Sequence, residues 1–347
     1  MKIEERRRRE SSIRESSSLF SIHQQVLSER LLALIAPLPT ELRADVMRAL
    51  KEPGKLLAEQ KHSPALPAGA WSLLTFLVAE HMAPQLDMVQ AATTAVAIEC
   101  YVCALDLFDD VEDGDQTPVI EDIGAARANN TATVLFTLAF RALRSLSEQG
   151  LPLERVCEML QTLEDATLKA TAGQHRDLLS EHRPVQSYTQ TEGEEIAAQK
   201  AGSLMQLACI LGALCGESNG EQLELFAALG LAFGIAQQLD NDAHDLQNEL
   251  SALQPLTDGS VVSAKKMDFA RGKKTLPVIL AWQVFSQERT SVSDSEKQGL
   301  SEQALESGIL ATWGLSLYYR ERAGDCLRKI EAQYPVSLAL RSLLGFG

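Results

Sequence analysis

The sequence predicts an all-α protein, a single large helical bundle, and three observations carry that expectation. Apolar residues recur at helical spacing through most of the 347 residues. No stretch shows strand-like alternation, and no internal repeat is visible. Pro and Gly fall mostly between the apolar segments, at Pro118, Gly150/Pro152, Pro184, Gly216, Pro255/Gly259 and Pro277.

Taken in order, the segments read as helices of two kinds. Residues 73–82 (LLTFLVAEHM) are apolar nearly all round, as expected of a helix surrounded by other helices. Residues 88–113 (MVQAATTAVAIECYVCALDLFDDVED) begin the same way and end in acids. Residues 131–146 and 156–174 follow, then 194–216, 223–250 and 274–285, each with an apolar stripe or surface. Short spacers favour antiparallel neighbours, so the pattern implies a bundle of more than ten helices. The first 20 residues carry the basic run Arg6 to Arg9 without a signal-peptide core and read as a disordered tail. Residues 21–347 then form one domain, since no long linker divides them.

Composition narrows the function. With 45% apolar residues the chain can bury a large core. Its net charge of −15 argues against nucleic acid as a partner and suits a protein that gathers carboxylates around divalent cations. No segment approaches the unbroken apolar length of a membrane span. The six cysteines sit in apolar stretches without disulfide-scaffold spacing, which points to a reducing cytoplasm. Cys100 and Cys103 lack the second pair of a zinc site and read as two core residues on one helix.

Two acidic clusters close otherwise apolar helices. The first holds Asp106, Asp109, Asp110, Glu112, Asp113 and Asp115. Asp109 and Asp113 are i and i+4, so their like charges share a face at the helix end that already disfavours anions. A bound cation removes that cost, and oxygen-only ligands suit Mg²⁺ rather than zinc. The second cluster holds Gln238, Asn241, Asp242, Asp245 and Glu249; Asn241, Asp245 and Glu249 step by four into one oxygen-bearing stripe. Either cluster alone reads as a solvated helix end. Two of them, joined by the apolar helices a bundle needs to bring them face to face, read as a metal site.

The chain resembles the trans-isoprenyl diphosphate synthases, the polyprenyl synthetases, within the class I isoprenoid (terpenoid) synthase superfamily. Asp109-Asp110-Val111-Glu112-Asp113 is similar to that family's first aspartate-rich motif, and Asn241-Asp242-Ala243-His244-Asp245 to its second. Gly173-Gln174-His175-Arg176-Asp177-Leu178, Lys200-Ala201-Gly202 and Gly272-Lys273-Lys274-Thr275-Leu276-Pro277 resemble three further motifs in the family's order. The resemblance implies a helical bundle with a central cavity and a homodimer. It also implies three Mg²⁺ ions held between the two acidic helices, with Asp109, Asp113, Asn241 and Asp245 as ligands. Glu249 joins them if the stripe works as in terpene cyclases and faces solvent if it works as in prenyl synthases. Lys200, Gln238 and Lys273 would bind the diphosphate of an allylic prenyl substrate. Ala104, Leu105, Phe108, Gln174, Asp177 and Trp71 would line the substrate pocket, and small Ala104 implies a chain of fifteen or twenty carbons.

The departures from the family fall on one side. Its basic cradle for isopentenyl diphosphate lands on Ala70, Trp71, Val102, Pro118 and Val119, none of them basic. What survives is a device for ionising an allylic diphosphate. The first expectation is therefore a terpene synthase that cyclises its substrate. The Asn/Ser/Glu stripe of terpene cyclases is also similar to Asn241, Asp245 and Glu249. The alternatives are a prenyltransferase with a peptide acceptor, or ordinary elongation with Arg127, His175 or Arg176 rebuilding the acceptor site. A regulatory subunit ranks last, because both acidic clusters are kept.

Overall fold

The computed structural model describes residues 20–59, 67–83, 85, 87–216, 219–253, 268–288 and 300–346. The tail expected over residues 1–20 lies outside them, apart from Phe20, which opens the first helix. Every regular element among the described residues is helical. By internal contacts the chain divides into two units, Met1–Glu164 with Leu207–Ala227 and Leu327–Gly347, and Asp165–Gln206 with Ala228–Cys326. The unit boundaries fall within helices rather than loops.

The first unit is organised around helix α4 (Met88–Asp113), which follows α1 (20–35), α2 (Thr40–Ala49) and α3 (Ala70–Met82). Asp87 starts α4 by accepting a hydrogen bond from the Val89 amide at 2.9 Å. From Ala91 to Ala104 every residue of α4 is buried. Most are Ala, Thr or Cys, so neighbouring helices approach closely; α3 and α6 (Ala125–Ser145) pack most heavily against it. The short α5 (Pro118–Ile123) begins on a proline, whose fixed φ suits a first helical turn. Cys100 and Cys103 are free and buried on α4, as expected of core residues. By length and composition alone α4 is long and apolar enough to cross a membrane, a test that the core helix of a helical bundle also passes. Its apolar stretch is 83% buried in the protein, as in a core helix.

The second unit takes the later part of α7 (Leu153–Ser180), then α8 (Gln190–Ala197), a π-turn over Ala198–Gly202 and the start of α9 (Ser203–Cys215). It continues through most of α10 (Gly220–Leu253), α11 (Asp268–Arg271), α12 (Leu276–Glu288) and most of α13 (Glu302–Gln333); α14 (Leu338–Leu343) belongs to the first unit. A capping box at Thr189 and Glu192 fixes the start of α8. Leu276 and Leu280 of α12 pack on Ile235 and Leu239 of α10, and Val278 and Ala281 pack on Ala243, Leu246, Leu305 and Ile309. Each large side chain so buried contributes roughly 1.5–3 kcal/mol. This apolar seam sets the register of the polar end of α10.

Candidate functional site

In the first unit α4 leaves the core over its last two turns. Ala104 is fully buried, Leu105 and Phe108 are half-buried, and Asp109, Asp110 and Asp113 are half-buried beyond them. Gly114 ends the helix with φ 67°, and no basic residue stands in its last turn. Asp109 and Asp113 thus keep the i, i+4 relation predicted for them. Asp106, one turn earlier, pairs with Lys55.

Lys55 is the residue that motif reading missed. It follows α2, and the Gly69 amide donates to the Gly54 carbonyl at 2.9 Å, which brings this turn to the start of α3. Nearby, Glu99 accepts from the Leu56 amide at 2.7 Å and the Ser72 hydroxyl at 2.8 Å. Burial pushes the Glu99 carboxyl up, and Lys55 and those donors only partly offset it. Burial works against the Lys55 charge as well, but Asp106, Cys103 and Glu99 outweigh it and raise its pKa. The positions of the missing basic cradle hold apolar side chains: Trp71 and Ala70 are half-buried at the start of α3, Val102 and Val119 are buried, and Pro118 opens α5. Arg127 is held by Asp45 through two guanidinium nitrogens at 2.7 and 3.0 Å.

In the second unit three backbones converge on Lys200. It sits on the π-turn, a wider turn that often marks functional positions. A Cβ on Gly173 of α7 would come within 2.9 Å of the Lys200 nitrogen, and one on Gly234 of α10 within 2.6 Å of the Ala201 oxygen. Only glycine admits that approach. The Lys200 ammonium donates to Asp177 at 2.9 Å, and Lys273 donates to the same carboxylate oxygen at 3.2 Å. Lys273 is 2% exposed and lies 3.4 Å from Asp268, a second residue that motif reading missed although it stands five positions earlier. Burial alone would raise the Asp177 carboxyl; the two lysines outweigh it and hold it below its usual range.

Gln174, one turn before Asp177, has both amide atoms buried with no hydrogen-bond partner. A buried amide left so is an accounting gap that a polar ligand would close. On α10, Gln238 donates to Asp242 at 2.7 Å. Burial pushes Asp242 up to about 7, Gln238 opposes that, and Asp177 adds to it. Gln238 and Asp242 therefore lie on the side of α10 that meets the lysines. Asn241 is exposed and Asp245 half-buried. Glu249 is buried, and its two oxygens accept from the Phe269 and Ala270 amides at 3.0 and 3.1 Å. The metal role expected for Glu249 thus meets a carboxylate already bonded to backbone. Arg176 is engaged by Glu195 and Gln199, each at 3.2 Å, and His175 is exposed.

Residues 71–307, which include both acidic helix ends and the lysine cluster, match the polyprenyl synthetase family. The chain belongs to that family. This polyprenyl synthetase is 32% identical over 158 residues to a tryptophan prenyltransferase ComQ of Bacillus spizizenii. That match covers 45% of this chain and about half, 52%, of that protein's length. It is 24% identical over 241 residues to a short chain isoprenyl diphosphate synthase of Methanocaldococcus jannaschii, covering 68% of each. Among solved structures, a polyprenyl synthase of Caulobacter crescentus complexed with calcium and isoprenyl diphosphate superposes with a TM-score of 0.61. The two are 23% identical, and the match covers 92% of this chain and 96% of that one. The fold is accordingly the all-α fold of the polyprenyl synthases.

Proposed function

We propose that this polyprenyl synthetase is a metal-dependent prenyltransferase. It ionises an allylic prenyl diphosphate of fifteen or twenty carbons and transfers the chain to the indole of a tryptophan side chain. The observation that carries the first step is the buried Lys200–Asp177–Lys273 cluster with the unsatisfied Gln174 amide one turn away. Lysine ammonium groups stabilise the charge that grows on a departing diphosphate. Two lysines stand against Asp177 and Asp268, so the cluster carries no net positive charge. A diphosphate there needs further cations.

The donor set fits Mg²⁺. In the first unit Asp109 and Asp113 offer oxygen ligands, with Asp110 beside them; in the second Asn241 and Asp245 do the same, with Asp242 beside them. Among the described residues no group of three or more His, Cys, Asp or Glu is gathered to hold a metal alone. Mg²⁺ commonly takes one or two carboxylates and completes its shell with water and substrate phosphates. When bound, the ions, three by family resemblance, would supply Lewis-acid stabilisation of the leaving diphosphate. The allylic C–O bond breaks, its electron pair leaves with the diphosphate, and the indole ring's electrons form the new C–C bond as a proton is lost. Ala104, Leu105, Phe108 and Trp71 would shelter the cation from water. The same reading carries one catalytic domain over residues 21–347 and a homodimer in the cytoplasm.

The Bacillus relative's name supports the acceptor, as do the apolar residues at Ala70, Trp71, Val102, Pro118 and Val119. Cyclisation, the first expectation from sequence, yields to transfer because the relatives' names speak for synthases and transferases. Elongation with isopentenyl diphosphate is the second reading. Lys55 favours it, as a cation beside the start of α3, and so does the Methanocaldococcus relative. The test offers farnesyl and geranylgeranyl diphosphate with Mg²⁺ in three settings: alone, with isopentenyl diphosphate, and with short tryptophan-containing peptides. A peptide mass gain of one prenyl group with diphosphate release is expected. An elongated diphosphate would replace this reading with elongation, and a hydrocarbon or alcohol from the substrate alone would restore cyclisation.

A further inference from the structure

We propose that Glu249 is a positioning residue whose carboxylate fixes the turn that carries Lys273, rather than a metal ligand. The inference rests on the reading of Lys273 as a diphosphate donor. Lys273 is almost wholly buried, and its ammonium reaches Asp177 and Asp268 only while the chain from 268 to 275 keeps its path. That path begins with α11, a single turn of four residues, which is far too short to hold itself together.

Among the described residues, hydrogen bonds from three places hold the backbone of the turn. The first is Glu249, whose two carboxylate oxygens take the Phe269 and Ala270 amides, donors that a helix start leaves without intrahelical partners. The second is internal: the Gly272 amide donates to the Phe269 carbonyl and the Lys273 amide to the Asp268 carbonyl, both at 2.9 Å. Gly272 closes this loop with φ 87°, where a side chain would be strained. The third is the Lys274 amide, which donates to the Ser180 hydroxyl at 3.1 Å. Among these hydrogen bonds of the described residues, those of Glu249 are the ones rooted in α10, four residues after Asp245. Phe269 adds packing against the cluster that holds Ala243 and Leu246 of the same helix. Glu249 therefore ties the register of the acidic face of α10 to the position of the Lys273 ammonium.

A metal ligand and a positioning residue fail in different ways. Loss of a ligand changes how much Mg²⁺ the site requires. Loss of the anchor lets the turn open and weakens the diphosphate contact even when Mg²⁺ is saturating. The experiment measures inorganic pyrophosphate binding by calorimetry across a Mg²⁺ series, with hydrogen exchange at Phe269 and Ala270, in Glu249→Ala, Glu249→Gln and wild-type protein. The expected result for Glu249→Ala is fast exchange at both amides and a loss of pyrophosphate affinity of roughly tenfold or more at saturating Mg²⁺. That is the scale seen when a group that orients a ligand-binding side chain is removed. Glu249→Gln keeps one strong acceptor and should fall between the two.

A shifted Mg²⁺ requirement with unchanged exchange at 269 and 270 would make Glu249 a ligand and overturn the proposal. Unchanged pyrophosphate affinity in Glu249→Ala would overturn it too. Failure of the wild-type protein to bind pyrophosphate would instead sink the functional reading on which it rests.

Discussion

Helices α4 and α10 both run apolar for most of their length and then end in carboxylates, but the two ends are built differently. At the end of α4 the acids stand i and i+4 from each other, with no basic residue in the last turn, and Lys55, which follows α2, pairs with Asp106 a turn earlier. At the end of α10 the acids are bedded in protein groups. Asp240 pairs with Arg320, Asp242 accepts from Gln238, and Glu249 holds two backbone amides. The difference separates two tasks. Like charges crowded at a helix C-terminus favour an added cation, whereas an acidic face laced with donors positions other groups, the lysine cluster among them.

The largest expected effect tests the α4 end. Asp109→Ala or Asp113→Ala should lower prenyl transfer by about three orders of magnitude, since several kcal/mol of metal-borne stabilisation is lost. Thermal stability without metal should hold or rise slightly, because a like-charge pair is relieved. Kinetics beside melting curves would check both, and near-wild-type turnover in Asp109→Ala would erase the contrast between the two ends.

The second effect tests the cluster beside α10. Lys273→Met removes a buried partner of Asp177 and should destabilise the fold by about 3–5 kcal/mol as well as weaken turnover. The Lys200 side chain is 18% exposed, so Lys200→Met should lose activity at a smaller stability cost. Equal stability losses in chemical denaturation would show that burial does not distinguish the two lysines.

The smallest effect is in pH. A carboxyl whose pKa rises on folding binds its proton more tightly in the folded state. Asp242 goes from 3.8 to about 7, so its contribution is whole below pH 4 and is lost as pH climbs through 7. Melting in chelator should therefore fall by a few degrees between pH 5 and pH 8, and Asp242→Asn should flatten that slope. A slope of the opposite sign would place Asp242 on the α4 side of the comparison.

Much of this was legible along the chain. The 3.6-residue period and its Pro and Gly punctuation predicted an all-helical fold, and the i, i+4 spacing of Asp109 and Asp113 put them on one face, because both are local properties of a helix. The spacing of Asn241, Asp245 and Glu249 was equally plain, yet it suggested one role for three residues that the structure sets in different surroundings. A stripe on a helix says which side chains share a face and nothing of what that face meets. Glu249 finds amides twenty positions ahead, Asp177 finds lysines 23 and 96 positions away, and Lys55 reaches Asp106 across 51. Ion pairs and hydrogen bonds act over a few ångströms of space, so their partners are chosen by how the apolar faces pack. The sequence by itself determined the helices, their acidic ends and the family motifs. Only the tertiary structure decided which cation each acid meets, where the π-turn lifts Lys200, and that Glu249 is spent on the backbone of the Lys273 turn.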